Sequence, residues 1–276
     1  KVAGSYIISD HDFWPAFWEV MKLRMAYGQS GKAPNAFASV RTWDPVTGNG
    51  GQSGVTPANL GNADLGPERS TEVEFGFEAS MLNGMIGLDF TTYNATIRDA
   101  LMPVTAPPSQ GWLNPQLANV GSFQNKGIEV SLKTTPVRTR DLKIEIGATY
   151  STNDSEILDL GDTPEFFVGW GPLLGQWVKE GYPVISMWGN KVMNPNEKAE
   201  PILSDDMEYY GPVYPPVTYG FNTNITFRNF TFSALGDGQQ GAYQFYIMPW
   251  QQVRRDLWPE CTDREPIENE TAIWRA

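Results

Sequence analysis

Residues 61–102 read GNADLGPERSTEVEFGFEASMLNGMIGLDFTTYNATIRDALM, and their reading decides the fold. Val73, Phe75, Phe77, Ala79 and Met81 are apolar, while the interleaved Glu72, Glu74, Gly76, Glu78 and Ser80 include no large apolar residue. A period of two describes a strand with one apolar and one polar face. After Leu82-Asn83-Gly84-Met85 the pattern resumes, with Ile86, Leu88 and Phe90 against Gly87, Asp89 and Thr91. Asn-Gly is the strongest short hairpin signal, because a type I′ turn needs positive φ at both central residues. With Asn83 and Gly84 in those places, Met81 faces Ile86, Ala79 faces Leu88 and Phe77 faces Phe90, apolar against apolar at each rung. The other face sets Glu78 opposite Asp89. Like charges directly opposed are unfavourable, so that face is wet or meets a cation.

Working outward, further alternating runs appear. Residues 2–8 read as the end of a strand. An aromatic connection follows, with Phe13, Trp14, Phe17 and Trp18. Residues 21–30 set Leu23, Met25 and Tyr27 on one face and Lys22, Arg24 and Ala26 on the other. A long loop is expected over 31–69 and a second over 97–125, where Pro103, Pro107, Pro108 and Pro115 argue against a central strand. Residues 126–135 and 142–151 form another strand pair, with Ile128, Val130 and Leu132 on one and Leu142, Ile144, Ile146, Ala148 and Tyr150 on the other. Residues 152–217 are the longest irregular segment. Tyr219, Phe221, Ile225 and Phe227 line a strand, Arg228-Asn229 turns the chain, and Phe230, Phe232 and Ala234 line the return. Clear periodicity ends after Gly236.

Connections are short after Ile8, Met81, Thr135 and Phe227 and long after Ser30, Thr96, Ser151 and Leu235. An up-and-down antiparallel meander with short turns at one end and long loops at the other describes a transmembrane outer-membrane β-barrel. Loops beyond about 12–15 residues are uncommon in compact soluble domains. A soluble, carbohydrate-binding β-sandwich shares the alternation but not the loop asymmetry. On the barrel reading, Val73, Phe75, Phe77, Ala79, Ile86, Leu88 and Phe90 face lipid, and Glu72, Glu74, Glu78, Asp89, Lys22 and Arg24 face the lumen. Tyr27, Tyr93, Tyr150 and Tyr219 fall near the long-loop ends, where an aromatic girdle belongs.

The totals agree with this. The chain has 276 residues, a net charge of −12 and 13% aromatic residues. That charge argues against nucleic acid, which needs a basic stripe. One cysteine, Cys261, excludes an internal disulfide framework, and one histidine, His11, weakens every His-dependent mechanism. No apolar run is long enough for a transmembrane helix, but a barrel strand needs only about 9–11 alternating residues. The chain begins inside a strand without a leader, so a segment of a longer exported protein is expected.

The stretch also resembles a family. Asn62, Asp64, Leu65, Pro67, Glu68, Arg69, Glu72, Glu74, Gly76, Gly87, Asp89 and Tyr93, in N-x-D-L-x-P-E-R-S-T-E-x-E-x-G and L-N-G-x-x-G-L-D-F-T-x-Y-N, are similar to the barrel of TonB-dependent outer-membrane receptors of the SusC/RagA-like branch. V-G-x-x-x-N-K-G-I-E-x-S-L at 120–132, T-P-V-R-T-R-D at 135–141 and F-S-A-L-x-D-G-Q-x-G at 232–241 extend the likeness. The resemblance implies residues 1–241 as an incomplete barrel segment and 242–276 as an extracellular loop or truncated strand region. It implies active nutrient uptake across the bacterial outer membrane, of glycans or peptides, with a SusD-like lipoprotein as lid. It implies energy from TonB, through an N-terminal region expected outside this stretch of sequence. No cofactor, metal or catalytic residue is implied. About eight strands are expected, short of a complete barrel. A structural or interaction subunit derived from a barrel fragment is the remaining alternative.

Three groups of residues are candidates for function. The row Glu72, Glu74, Glu78 and Asp89 is read as a wetted wall that, in the resemblance, contacts the plug, rather than a paired-carboxylate acid/base site. Asp159, Asp162 and Glu165, and Asp205, Asp206 and Glu208, lack calcium-loop spacing and are read as solvated loops. Trp112, Trp170, Trp177, Trp188, Tyr209 and Tyr210 either contact ligand or lid, as exposed aromatics do, or pack the loops on one another.

Overall fold

In the computed structural model, which describes residues 1–104, 109, 115–168, 175–197 and 202–245, the central hairpin has the register its alternation sets. Strand β5 (Glu68–Met81) pairs with β6 (Ile86–Val104) through Met81–Ile86, Ala79–Leu88, Phe77–Phe90 and Glu78–Asp89. Asn83 and Gly84 have φ of 56° and 71°, as the turn demands, and Met85 N–H donates to Leu82 O at 3.2 Å. Leu82 is also left-handed, at φ 56°. An L-residue with a long side chain is strained there. The Glu19 carboxylate accepts from both Asn83 and Gly84 N–H groups and holds the turn. Leu82→Gly should therefore raise stability by about 1 kcal/mol, read as a higher denaturation midpoint.

The hairpin extends in both directions into one antiparallel sheet. It contains β1 (Val2–Ile7), β2 (Trp18–Lys32), β5, β6, β7 (Gln116–Arg138), β8 (Leu142–Thr152), β14 (Val217–Phe227) and β15 (Phe230–Gln240), in that order. Strand β9 (Asp154–Asp159) adds to the upper part of β7. Apart from β9, every neighbour in space is the next wall strand in the chain. β15 is not paired with β1, so the wall is open. No helix among the described residues is long and apolar enough to cross a membrane, which says nothing of crossing by strands.

The expected loops are more ordered than their composition suggested. Residues 31–69 contain a hairpin, β3 (Thr42–Thr47) with β4 (Ser53–Asn59). Within the loop expected over 97–125, β6 and β7 run on as a paired arm to Val104 and Gln116, and Pro107 and Pro108 lie outside the described residues. Pro103 sits inside β6, against the expectation. β5 ends its pairing at Arg98, so beyond that rung one side of β6 is an edge. The Leu101 N–H on that side goes to the Glu68 carboxylate at 3.1 Å. Pro103, two residues on, directs its missing donor the same way, where a ladder loses nothing. Pro136 is tolerated in β7 because it lies in a bulge between Thr134 and Val137.

The segment expected to be irregular, 152–217, holds β9 and a four-stranded antiparallel sheet. Its strands are β10 (Phe166–Phe167), β11 (Gln176–Val178), β12 (Ser186–Val192) and β13 (Leu203–Pro212). Here lies the core of the described residues. Val120, Ile157, Leu160, Phe166 and Val178 are buried together, with Met102, Val104, Ala118 and Phe123 packed against them. The core thus sits at the long-loop end, where the β6–β7 arm, β9 and the small sheet meet. In the tail assigned to 242–276, residues past Phe245 lie outside the described residues, as do Cys261, Trp112 and Trp170.

Candidate functional site

On the polar face of the wall, Glu78 and Asp89 stand opposite each other, as the alternation requires. The cation that this pairing calls for is Arg24. It stands on β2 across from Gly76, and Gly76 stands across from Thr91. Its guanidinium reaches over both strands, with Nη1 at 3.1 Å from Glu78, and Nη2 at 2.7 Å from Asp89 and 2.5 Å from the Thr91 hydroxyl. Lys22 adds a second ion pair to Glu78 at 3.4 Å. Gly76 makes the crossing possible. A Cβ there would lie 2.4 Å from Phe90 O and 3.0 Å from Arg24 Nε. Glu78 and Asp89 are therefore engaged within the wall itself. Glu72 and Glu74 face that side without an ion pair among the described residues.

Tyr93 does not belong to the girdle expected for it. It pairs with Glu74 and Gly127, so its ring is on the polar face. Its hydroxyl donates to Thr152 O at 3.2 Å and lies 3.1 Å from Asn153 Oδ1. Position along the strand was legible, but the face depends on parity, and residue 93 has the parity of Asp89. Tyr27, Tyr150 and Tyr219 share the apolar face, in register with Val73, Val130 and one another.

The loop-end aromatics divide. Trp188 on β12 pairs with Tyr209 on β13, their rings 5.6 Å apart, and Tyr182 packs edge-on to Trp188 at 4.7 Å. The Lys179 ammonium lies 4.0 Å from the Trp188 ring centre and 5.4 Å from that of Trp177, and pairs with Glu165 at 3.2 Å. Ser186 accepts from Trp188 Nε1 at 2.8 Å and donates to Trp177 O at 3.2 Å. The two tryptophans thus spend much of their surface on one another's surroundings. Tyr209 and Tyr210 each keep 39% of theirs open to solvent. Burial pushes both hydroxyls above the ordinary value of 10.0. Tyr182, Tyr243 and Asp154 add to this at Tyr209, and Glu208 adds to it at Tyr210. Both are neutral hydrogen-bonding groups at physiological pH.

Of the acidic residues, Glu165 serves Lys179, Asp159 caps Gly161 N–H at 2.7 Å, and Glu208 meets Lys191 at 3.8 Å. Among the described residues no group of three or more acidic, His or Cys side chains is disposed to hold a metal. His11 stacks on Phe13 and contacts the Tyr6 hydroxyl.

Sequence reasoning missed Asn119. Its amide donates to Gly66 O at 3.0 Å and Asp99 O at 2.8 Å, and its oxygen accepts from Gly66 N–H at 2.7 Å. With Glu68 it ties the N-x-D-L-x-P-E-R stretch to the β6–β7 arm. No spacing pattern announces such a contact, because the partners are far apart in the chain.

The apolar face of the wall remains uncovered. Phe75, Phe221 and Phe232 are 48%, 49% and 61% exposed, and no second sheet lies over them among the described residues. From Phe227 at the short-turn end to Tyr219 is roughly 27 Å along the strand, close to the apolar band of about 25 Å in an outer-membrane barrel. A one-sheet meander with a bare apolar belt, a charged inner face and ordered loops at one end defines a section of an outer-membrane β-barrel wall.

Residues 5–251 match the family model described as TonB dependent receptor-like, beta-barrel. The chain belongs to the TonB-dependent receptor β-barrel family. It is 30% identical to TonB-dependent receptor P26 of Formosa agariphila over 87% of this chain and 30% of that protein. It is 25% identical to TonB-dependent receptor SusC of Bacteroides thetaiotaomicron over 67% of this chain and 20% of that protein. The fold is that of the RagAB peptide transporter structure, with a TM-score of 0.74 over 85% of this chain and 28% of that chain, at 22% identity. The chain spans under a third of the length of these relatives.

Proposed function

We propose that this chain forms part of the wall and extracellular loop end of a transporter in the bacterial outer membrane, taking up nutrients such as glycans or peptides. The observation that supports this most is the bare apolar belt joined to an ordered loop end. Such a belt is stable only in lipid, and a soluble β-sandwich would have covered it with a second sheet. Residues 1–241 are assigned to the barrel segment and 242–276 to an extracellular loop or truncated strand region. Glu72 and Glu74, hydrogen-bonded to each other and without an ion pair among the described residues, are assigned to meet a plug, since Arg24 and Lys22 hold Glu78 and Asp89. Among the described candidates, Tyr209 and Tyr210 are the loop aromatics with the most surface left for ligand or lid. A SusD-like lipoprotein and TonB are the proposed partners, by kinship with SusC and with the RagAB assembly. No bond is made or broken in this function, so no catalytic residue is assigned.

Deleting the gene that encodes this chain should abolish uptake of one class of oligomeric nutrient. Loss of TonB or a protonophore should do the same, and a lipoprotein should co-purify from outer-membrane fractions. Uptake that survives both deletion and protonophore across glycan and peptide substrates would sink the transporter reading and leave a structural or interaction subunit.

A further inference from the structure

The β5–β6 ladder carries two cross-strand pairs of like charge. The lower, Glu78 with Asp89, is on the polar face and is neutralised by Arg24. The upper is Arg69 opposite Arg98, the last rung of the ladder. By parity with Thr71, Val73 and Phe75, and with Thr96, Asn94 and Thr92, both arginines are on the apolar face. Both are exposed, and neither side chain has a hydrogen bond or ion pair among the described residues. Side chains directly opposite on an antiparallel pair are about 5 Å apart, and like charges there repel. The nearest acids on this face are on β9. Asp154 is already held by Lys126 at 3.2 Å; Asp159 shares the row of Arg98 through Ser122 but is two strands away, about 10 Å, and caps Gly161 N–H; Glu156, opposite Gln124, lies one step further along. Among the described residues, no acidic side chain is paired with either arginine.

The position of the pair says what neutralises it. Arg69 is four residues beyond Val73, which is in register with Tyr27 of the aromatic row. That is about 13 Å along the strand, and on the order of 10 Å along the membrane normal at barrel tilt. This is the depth of lipid headgroups. Directly below is a shallow hollow lined by Thr71, Val73 and Phe75 on β5 and, at the same heights, by Thr96, Asn94 and Thr92 on β6. Its top rung, Thr71 with Thr96, is polar on both strands, and below it the β5 side becomes apolar at Val73 and Phe75 while the β6 side stays polar. A nutrient passing through the lumen never meets this face.

We propose that Arg69 and Arg98 bind the phosphate of an outer-leaflet lipid headgroup, with the Thr-lined hollow receiving the rest of that lipid. A phosphate carries the charge to offset two guanidinium groups and the oxygens to bond both. The inference rests on the membrane-wall reading.

The test uses the full native protein in phosphatidylcholine nanodiscs with and without diphosphoryl lipid A, with bound lipid counted by native mass spectrometry. The double variant Arg69→Gln/Arg98→Gln should retain lipid A about tenfold less well. Lys126→Gln, on the same face but already paired to Asp154, should retain it as the wild type does. Equal heat-resistance of the variants on gels establishes that the barrel is intact. Equal lipid retention by wild type and double variant overturns the proposal. Displacement of lipid A by an equal concentration of inorganic phosphate also overturns it, since the site would then be one for free anions. If wild type and variants alike fail to enter nanodiscs, the membrane-wall reading itself has failed.

Discussion

Replacing Gly121 with alanine is expected to detach the loop end from the wall. Gly121 has φ +35°, and a Cβ built on it would lie 1.6 Å from Asp159 O and 2.4 Å from Asp159 C. Both are backbone atoms of β9, so no side-chain rotation relieves the overlap. β9 must move, and it carries Ile157 and leads into Leu160, both within the buried cluster with Val120. The cost is on the order of 3 kcal/mol or more, combining overpacking with strained backbone. Hydrogen exchange over 154–160 should rise by two orders of magnitude or more, while the wall strands β2, β5 and β6 keep their protection. Gly161→Ala is the control. Gly161 also has positive φ, +59°, but a Cβ there meets nothing within 4 Å. It should cost about 1 kcal/mol from backbone conformation alone. Equal effects from the two substitutions would show that steric closure against β9 is not what holds the loop end.

Arg24→Ala is expected to produce the largest loss in the wall. It removes three contacts at once and leaves Glu78 facing Asp89. Arg24, Glu78 and Asp89 are 33%, 40% and 41% exposed, so solvent screens part of the interaction. A fully buried pair broken on one side costs about 3–5 kcal/mol. With that discount we expect about 2 kcal/mol, seen as a lower midpoint for denaturant unfolding in detergent. Asp89→Asn placed in the Arg24→Ala background should restore about half, because it removes the repulsion the first change exposed. Additive losses in the double variant would mean that Glu78 and Asp89 do not sense each other.

The wall was legible because its information is local. A two-residue period, an Asn-Gly turn and a register that follows by counting gave the β5–β6 rungs and the demand for a cation that Arg24 meets. The β14–β15 hairpin followed in the same way from Arg228-Asn229. The loop end was not legible, for three physical reasons. Its strands are as short as Phe166–Phe167, too short to show a period. Register shifts within β12–β13 reset the parity that alternation relies on. Its prolines misled, because Pro103 uses an edge that depends on where the neighbouring strand stops. Tyr93 was placed on the wrong face by reasoning from height alone. For the aromatic group, residue type suggested contact with ligand. Only the structure gave Lys179 its place against Trp177 and Trp188, and left Tyr209 and Tyr210 as the open members.

That the well-packed core lies beyond the long-loop end bears on how the molecule comes to rest in its membrane. A hairpin crossing the bilayer from the periplasm must do so thin, as extended chain with its backbone paired to neighbouring strands. Once across, β9 to β13 fold around Val120 and Val178 into a body several strands wide, clamped to an arm continuous with the wall. Such a body cannot follow the hairpin back. On the membrane-wall reading, its folding would act as a ratchet, making insertion one-way with no lock needed in the lipid-embedded part itself.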